Sequence, residues 1–167
     1  MNQFQSMRMQ PSPFKGFLIR FLAFMIDIVV TLIAVFAAAI VFGIFFGSLF
    51  GGEAGFGVGL IIFILAALAA QFLYKPLMEA SEYQGTVGKI TLGMKVVDKN
   101  GQRITVAKSF IRTIVYIIEN AIPFGSLAFL IIAFTDENQG LHDMAAETYV
   151  VSKYWQGPIP LQDNFGA

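Results

Sequence analysis

The chain has 167 residues, of which 56% are hydrophobic and 13% are charged, about half the charged fraction of an average soluble domain. Its 11 basic residues balance its 11 acidic residues, so no basic excess points to nucleic acid as a partner. The absence of cysteine excludes a disulfide scaffold, a thiolate metal site and a catalytic thiol.

Two long apolar blocks predict two membrane-spanning helices. The first, residues 17–46, is interrupted by only three polar side chains, and as a helix it would be about 45 Å long, more than a bilayer requires. The second, residues 57–77, is also long enough to cross. We expect the first block to remain uncleaved, because it is too long for a signal-peptide core. Before it, residues 1–13 are expected to form a disordered tail.

The distribution of basic residues predicts how these helices are oriented. Residues 1–20 and 75–112 carry ten of the eleven lysines and arginines, whereas the connection 47–56 carries none. Because cytoplasmic segments are enriched in basic residues, the N-terminus and the loop 78–104 are expected to be cytoplasmic. The connection between the two spans would then face outward.

A small β structure is predicted at the cytoplasmic face. Residues 93–105 read GMKVVDKNGQRIT, two β-like runs around an Asp-Lys-Asn-Gly turn, which is typical of a hairpin. A lone hairpin is only marginally stable. A further candidate strand, TYVVSK at 148–153, could complete a sheet if the C-terminal part is also cytoplasmic. The remaining residues, 154–167, are expected to be a flexible tail.

The third apolar block, residues 105–134, has two interpretations. Polar residues recur at three- and four-residue spacing in its first part, which predicts an amphipathic helix. Pro123 and Gly125 then interrupt it, so the block is either a re-entrant helical hairpin or one kinked span. We favour the hairpin, because it lets 148–153 reach the sheet. The predicted fold is therefore an all-α membrane protein with two transmembrane helices, this third segment and a small cytoplasmic β-hairpin or sheet.

Ionisable residues inside the apolar blocks carry the functional signal. Asp27 lies about 15 Å into the first block, where a carboxylate costs about 2.5 to 3.5 kcal/mol on insertion scales. It is either a hydrogen-bonded link between helices or a residue that handles protons or cations. Arg20 lies seven residues earlier, too far along the helix for a direct bond to Asp27. It is either an interfacial base or paired with an acid on another element, for which the candidates are Glu79, Glu119 and Asp143.

The amphipathic helix resembles the start of the first block. Aligning 17–27 with 109–119 places Arg112 on Arg20 and Glu119 on Asp27. The match is either chance similarity between apolar helices or an internal repeat of the kind found in transporters. Because two or three helices do not readily enclose a path across a bilayer, a transport function would require a homo-oligomer.

Several familiar chemistries are excluded by the sequence. Gly88 and Lys89 resemble part of a phosphate-binding loop, but Ile90 stands where Ser or Thr is required. The single histidine, His142, rules out a His-rich zinc site, and no GxSxG motif is present. We therefore expect no enzyme activity, no metal and no cofactor. His142 beside Asp143 is either a solvated interfacial residue or a pH sensor.

The combined motifs resemble the RDD family of membrane proteins over residues 14–153. The matching segments are RFLAFMID (20–27), EASEYQGTVGKITLGMKVVDKNGQRIT (79–105), SFIRTIV (109–115) and QGLHDMAAETYVV (139–151). By this resemblance the name-giving arginine and aspartates are Arg20, Asp27 and Asp143. The family is regarded as transporters of unknown ligands, with some members linked to sodium/proton exchange.

Two hypotheses follow from the residues and the resemblance. The first is a multi-pass transporter or cation/proton exchanger of the bacterial plasma membrane, with the lipid bilayer, a monovalent cation or proton and other copies of the chain as partners. Its candidate ion- or proton-binding residues are Arg20, Asp27, Glu79, Arg112, Glu119 and Asp143. The second is a non-transporting membrane scaffold or regulatory subunit that acts through its cytoplasmic loop.

Overall fold

The computed structural model describes residues 12–122 and 130–160. In chain order the elements are α1 Phe17–Phe50, α2 Gly52–Glu79, α3 Val87–Thr91, β1 Met94–Asp98, α4 Val106–Ala121, α5 Leu141–Ala145 and β2 Thr148–Ser152. Residues 1–11 of the predicted N-terminal tail, residues 161–167 of the predicted C-terminal tail and the predicted interruption at Pro123 and Gly125 lie outside the described residues.

The helices α1 and α2 form a long hairpin. Both extend beyond the predicted spans, so most of the expected connection 47–56 is helical. The break is Gly51, whose φ of 64° lies in the left-handed region that glycine adopts without steric cost. Further along α2, Gly59 packs so closely on Phe46 of α1 that an added Cβ would lie 2.7 Å from the Phe46 Cβ. Gly51 therefore permits the turn, and Gly59 permits the close approach of the two helices.

The outside of this hairpin is apolar. The most apolar stretch of α1 has no buried residue. In the second candidate span, Gly55–Glu79, 6% of the most apolar stretch is buried. Side chains such as Leu18, Phe36 and Ile44 are more than two-thirds exposed, at 74%, 68% and 70%. The core helix of a soluble protein would bury such residues. Both helices are long and apolar enough to cross a membrane, as the sequence predicts.

The helix α4 buries polar residues and exposes apolar ones. It begins after Thr105, whose hydroxyl accepts a hydrogen bond of 3.2 Å from the Lys108 amide. The buried residues of α4 are Ser109, Arg112, Thr113 and Glu119, and its exposed isoleucines are Ile111, Ile114, Ile117 and Ile118. The amphipathic prediction is confirmed for this part of 105–134. The remainder of a third membrane segment stays a prediction.

The sheet has two antiparallel strands that are distant in sequence. β1 pairs with β2 in a register that places Val96 opposite Val150, so the strand predicted at 148–153 is confirmed. The predicted hairpin within 93–105 is wrong as a strand pair: its second arm makes only an isolated bridge between Val97 and Arg103. The physical reason is that the chain turns away at Thr105 to begin α4, which leaves no length for a second strand.

The sheet packs on the end of the helical hairpin. One of its faces forms an apolar cluster with Ala23 of α1, and the other packs on Ile159 near the end of the described chain. Backbone hydrogen bonds from Lys15 to Val150 and from Ser152 to Pro13 add the segment before α1 to the free edge of β2. The loop after α2 and the segment around β2 thus lie at the same end of the molecule.

This arrangement predicts that residues 100 and 154 face the same side of the membrane. Because the chain has no cysteine, single-cysteine variants can be labelled with a membrane-impermeant maleimide without background. We expect Asn100→Cys and Tyr154→Cys to react in inverted vesicles and Ser48→Cys to react in intact cells. Labelling of Tyr154→Cys and Ser48→Cys from one side would show that the β1–β2 pairing does not form in the membrane.

Candidate functional site

Asp27 of α1 holds the start of α3. Its carboxylate accepts hydrogen bonds from the Thr86 hydroxyl at 2.6 Å and from the Gly88 amide at 2.8 Å. The Val87 amide donates to the Tyr74 hydroxyl of α2 at 3.0 Å. The first amides of a helix have no partner within it, so side chains from both long helices supply the acceptors. Of the two interpretations of Asp27, these contacts match a link between elements.

Gly88 is required for this contact. A Cβ added to Gly88 would lie 2.0 Å from the carbonyl oxygen of Ala23, a distance that no side chain tolerates. The absence of a side chain at 88 lets α3 lie directly on α1, within reach of Asp27. The second glycine of the Gly-Thr-x-Gly-Lys segment thus serves helix packing in this structure.

Arg20 is paired with an acid on another element, as the sequence suggests. The residue is 4% exposed, and its Nη2 donates to Oδ2 of Asp143 on α5. Its Nη1 donates to the Asn138 carbonyl oxygen at 2.6 Å. Of the three candidate partners, Asp143 is the one that Arg20 binds.

Arg112 lies at the centre of the buried charges. Its Nη2 is 2.7 Å from Oδ1 of Asp143, and its Nε is 3.1 Å from Oε2 of Glu79. Its Nη1 donates to the Thr148 hydroxyl at 2.5 Å. The side chain is completely buried, and through it α4 contacts α2, α5 and β2. Arg20 and Arg112, which the internal alignment pairs, converge on the same carboxylate.

Glu79 joins Arg112 to a fifth charged residue, Lys89. The Lys89 ammonium group donates to Oε1 of Glu79, and Glu79 has no exposed side-chain surface. Burial lowers the pKa of Lys89, although the Glu79 carboxylate acts in the opposite direction. Five side chains thus form one connected group, which we call the ionic cluster: Arg20, Glu79, Lys89, Arg112 and Asp143.

Asp143 is held ionised inside the ionic cluster. Burial by itself would raise its pKa, but the guanidinium groups of Arg20 and Arg112 outweigh that effect and hold the pKa of Asp143 well below its usual range. Its Oδ2 also accepts a hydrogen bond of 3.0 Å from the Gly140 amide. A carboxylate in this state does not exchange protons near neutral pH.

Glu119 and His142 form a second, smaller contact beside the cluster. His142 Nδ1 is 3.2 Å from Oε2 of Glu119, and its Nε2 is 3.6 Å from Oδ1 of Asp143. The imidazole is 3% exposed, so the expectation of a solvated interfacial histidine is wrong. Burial lowers the pKa of His142, against the effects of Asp143 and Glu119. Arg112 and Lys75 also face the ring and lower its pKa further.

A cavity of about 620 Å³ lies between α1, α2 and α4. At one end it is lined by the charged and titratable side chains Arg20, Asp27, Lys75, Lys89 and His142, and elsewhere by apolar residues such as Phe24, Leu32 and Leu68. A second cavity of about 340 Å³ continues between α1 and α2 and shares Thr31, Gln71 and Tyr74 with the first. The first cavity thus has one polar end, and the second cavity is its apolar extension.

The structure adds residues that sequence reasoning missed. Lys89 and Lys75 both line the cavity, and Thr86 orients Asp27. The sequence offered weak signals for two of them: Lys89 belongs to the Gly-Thr-x-Gly-Lys segment, and Lys75 precedes Glu79 by four residues on one helix face. Among the described residues, no group of three histidines or carboxylates could hold a metal ion.

Comparison with known proteins places these residues in a family context. The family model described as RDD family matches residues 14–147, which include every residue of the ionic cluster. The uncharacterized protein YxaI of Bacillus subtilis (strain 168) is 40% identical over 90 residues, which are 54% of this chain. The aligned part spans 58% of the length of that relative. No solved structure matches the chain.

Neutralising Asp143 is predicted to destabilise the fold strongly. Asp143→Asn leaves Arg20 and Arg112 buried without that carboxylate, and breaking a buried pair in this way costs about 3 to 5 kcal/mol. The thermal unfolding midpoint in detergent should fall accordingly. The control is Glu147→Gln, because Glu147 is 73% exposed and pairs with Lys108 at 3.4 Å, a type of contact that contributes about 0 to 1 kcal/mol. Equal effects of the two variants would contradict the central role of Asp143.

His142 is predicted to make stability depend on pH. Its pKa is lowered in the folded protein, so on acidification the unfolded chain takes up the proton first, and stability is lost as the pH falls below about 6.5. For one titrating group the loss cannot exceed about 1.4 kcal/mol per pH unit. Unfolding midpoints measured from pH 7 to 5.5 should decline, and His142→Gln should flatten the decline, since the chain has no other histidine. An unchanged slope in the variant would count against this assignment.

Proposed function

The chain belongs to the RDD family of membrane proteins, and from this premise we propose that it is a small transporter in which Asp27 binds the coupling proton or monovalent cation. The observation that carries the proposal is the cavity between α1, α2 and α4, whose polar end contains Asp27. Asp27 is the one carboxylate in the described lining of that cavity. A carboxylate in a membrane cavity supports ion coupling, because ionisable groups in such positions usually face a path or a partner.

Asp27 keeps acceptor capacity despite its hydrogen bonds. A carboxylate has about four lone-pair positions. Thr86 and Gly88 each occupy one, and the Tyr74 hydroxyl also interacts with the carboxylate. The remaining positions can receive a proton or cation from the cavity. Occupancy would weaken the carboxylate as an acceptor, and with it the contact between α1 and α3. Ion binding at Asp27 would thereby be coupled to the position of the cytoplasmic segment.

The location of the protein forms part of the same proposal. The basic residues in 1–20 and 75–112 support a cytoplasmic N-terminus and a multi-pass arrangement in the bacterial plasma membrane. The pairing of β1 with β2 supports a third segment that enters the membrane and returns. Two long helices do not enclose a path by themselves, so transport would be carried out by a homo-oligomer.

A second candidate function is a membrane scaffold or regulatory subunit. The observation that favours it is the use made of the ionic cluster. Arg20 and Glu79, on the two long helices, are bound by residues of α3, α4 and α5. An assembly that fixes a folded unit to the membrane surface in this way could present it to a partner.

Ion flux in proteoliposomes tests the transport proposal. Under an imposed proton or sodium gradient, we expect the purified wild-type chain to move the ion and Asp27→Asn to reduce the flux at least tenfold. The variant removes the charge while its amide oxygen can still accept from Gly88. The matched control is Glu53→Gln, an acid-to-amide change at an exposed position outside the cavity lining, which should leave the flux unchanged.

Two results would overturn the transport proposal. One is a wild-type protein that moves neither protons nor sodium, and the other is an Asp27→Asn variant with unchanged flux. In either case, a stoichiometric partner protein in the same purified preparation would favour the scaffold.

A further inference from the structure

Lys75 is the cation of the cavity that has no acid partner. Arg20 is bound to Asp143 and Lys89 to Glu79, whereas no described carboxylate lies within ion-pair distance of the Lys75 ammonium group. Its recorded contact is with the ring of Tyr116, 3.8 Å from Nζ to the ring centroid. An ammonium group that lies over an aromatic face keeps its N–H donors free for other partners. Lys75 can therefore receive an anion that enters the cavity.

The pairing of the charged residues at the polar end singles out Lys75. The lining there includes three basic residues, Arg20, Lys75 and Lys89, and one carboxylate, Asp27. Arg20 and Lys89 are neutralised by Asp143 and Glu79, and Asp27 accepts hydrogen bonds from the Thr86 hydroxyl and the Gly88 amide. Of the basic residues in the described lining, Lys75 is the one that an anionic head group can approach without displacing an ion pair.

The apolar extension indicates that a ligand of this cavity also has an apolar part. The cavity of about 340 Å³ begins beside Thr31 and reaches Phe42 of α1, a rise of about 16 Å along the helix. Its walls are mostly alanine, valine and phenylalanine side chains, and they include Ala38 of α1 and Ala67 of α2. Space of this kind, smaller than the first cavity and sharing lining residues with it, fits one hydrocarbon chain.

We propose that the cavity binds an anionic amphiphile, with a carboxylate or phosphate head at Lys75 and one apolar chain along the crevice between α1 and α2. This inference rests on the proposed transport function only in that it identifies the bound amphiphile as the transported solute. Ligands of this chemistry include free long-chain carboxylates and the anionic phospholipids of the bilayer itself. Binding can be measured in the absence of any gradient, so it is tested independently of flux.

The test is calorimetric titration of the full chain in a neutral maltoside detergent. We expect palmitate to bind at least tenfold more tightly than hexadecanol, which has the same chain without the charge. Lys75→Gln should abolish this difference, whereas Lys99→Gln, in an exposed turn outside the cavity, should preserve it. Equal affinity for the acid and the alcohol, or a Lys75→Gln variant that binds palmitate like the wild type, would overturn the proposal.

A second variant keeps the test valid if Lys75→Gln fails to fold. Ala67→Leu fills the apolar extension, so it should weaken palmitate at least tenfold and leave the shorter octanoate unaffected. Equal effects on both acids would place the chain elsewhere and refute the geometry. Displacement of palmitate by phosphatidylglycerol but not by phosphatidylcholine would identify a membrane lipid as the source of the head group. Because palmitate binding is measured without an ion gradient, a loss of binding and a loss of ion flux are separate results.

Discussion

The burial of the Asp143 carboxylate between two guanidinium groups is the interaction on which the rest of the structure depends. Asp143 has no exposed side-chain surface, and Arg20 and Arg112 reach it from α1 and α4. A buried carboxylate is costly in isolation, and a buried guanidinium group equally so. The Asp143 carboxylate and the two guanidinium groups are therefore stable in the interior only together. This mutual requirement fixes α5, α4 and the start of α1 as one unit and places β2, which follows α5, beside β1.

The fold was largely predictable where the signal is local or compositional. Runs of apolar residues are sufficient to define α1 and α2, and the spacing of polar residues is sufficient to define α4. The strand at 148–152 was recognisable from its β-branched residues, but its pairing was not. The turn after Asp98 has the chemistry of a hairpin, since the Asp98 carboxylate accepts from the amides of Asn100 and Gln102. Strand partners depend on long-range packing, and Val150 proved the better partner for Val96.

The candidate site was predictable in its acids and bases but not in its contacts. Sequence spacing excluded a bond between Arg20 and Asp27 and placed Asp143 among three candidate partners of Arg20. It could not reveal that Asp27 binds a backbone amide, because every residue except proline has one. Nor could it single out Arg112 as the centre. That role depends on four elements meeting at one point, which no local pattern encodes.

The inverted distribution of polarity explains how the fixed charges and the cavity coexist. In a soluble domain, apolar burial holds the fold together, but here the large apolar side chains of α1 and α2 face outward, where lipid gives no drive for helices to associate. Ion pairs and hydrogen bonds must then supply the specificity of packing, and they are concentrated at one end of the hairpin. Further along, α1 and α2 have few such ties, and the space between them stays open as the cavity. The ion pairs are concentrated at Arg20 and Glu79. Beside them, Asp27, which also binds the start of α3, and Lys75 line the cavity.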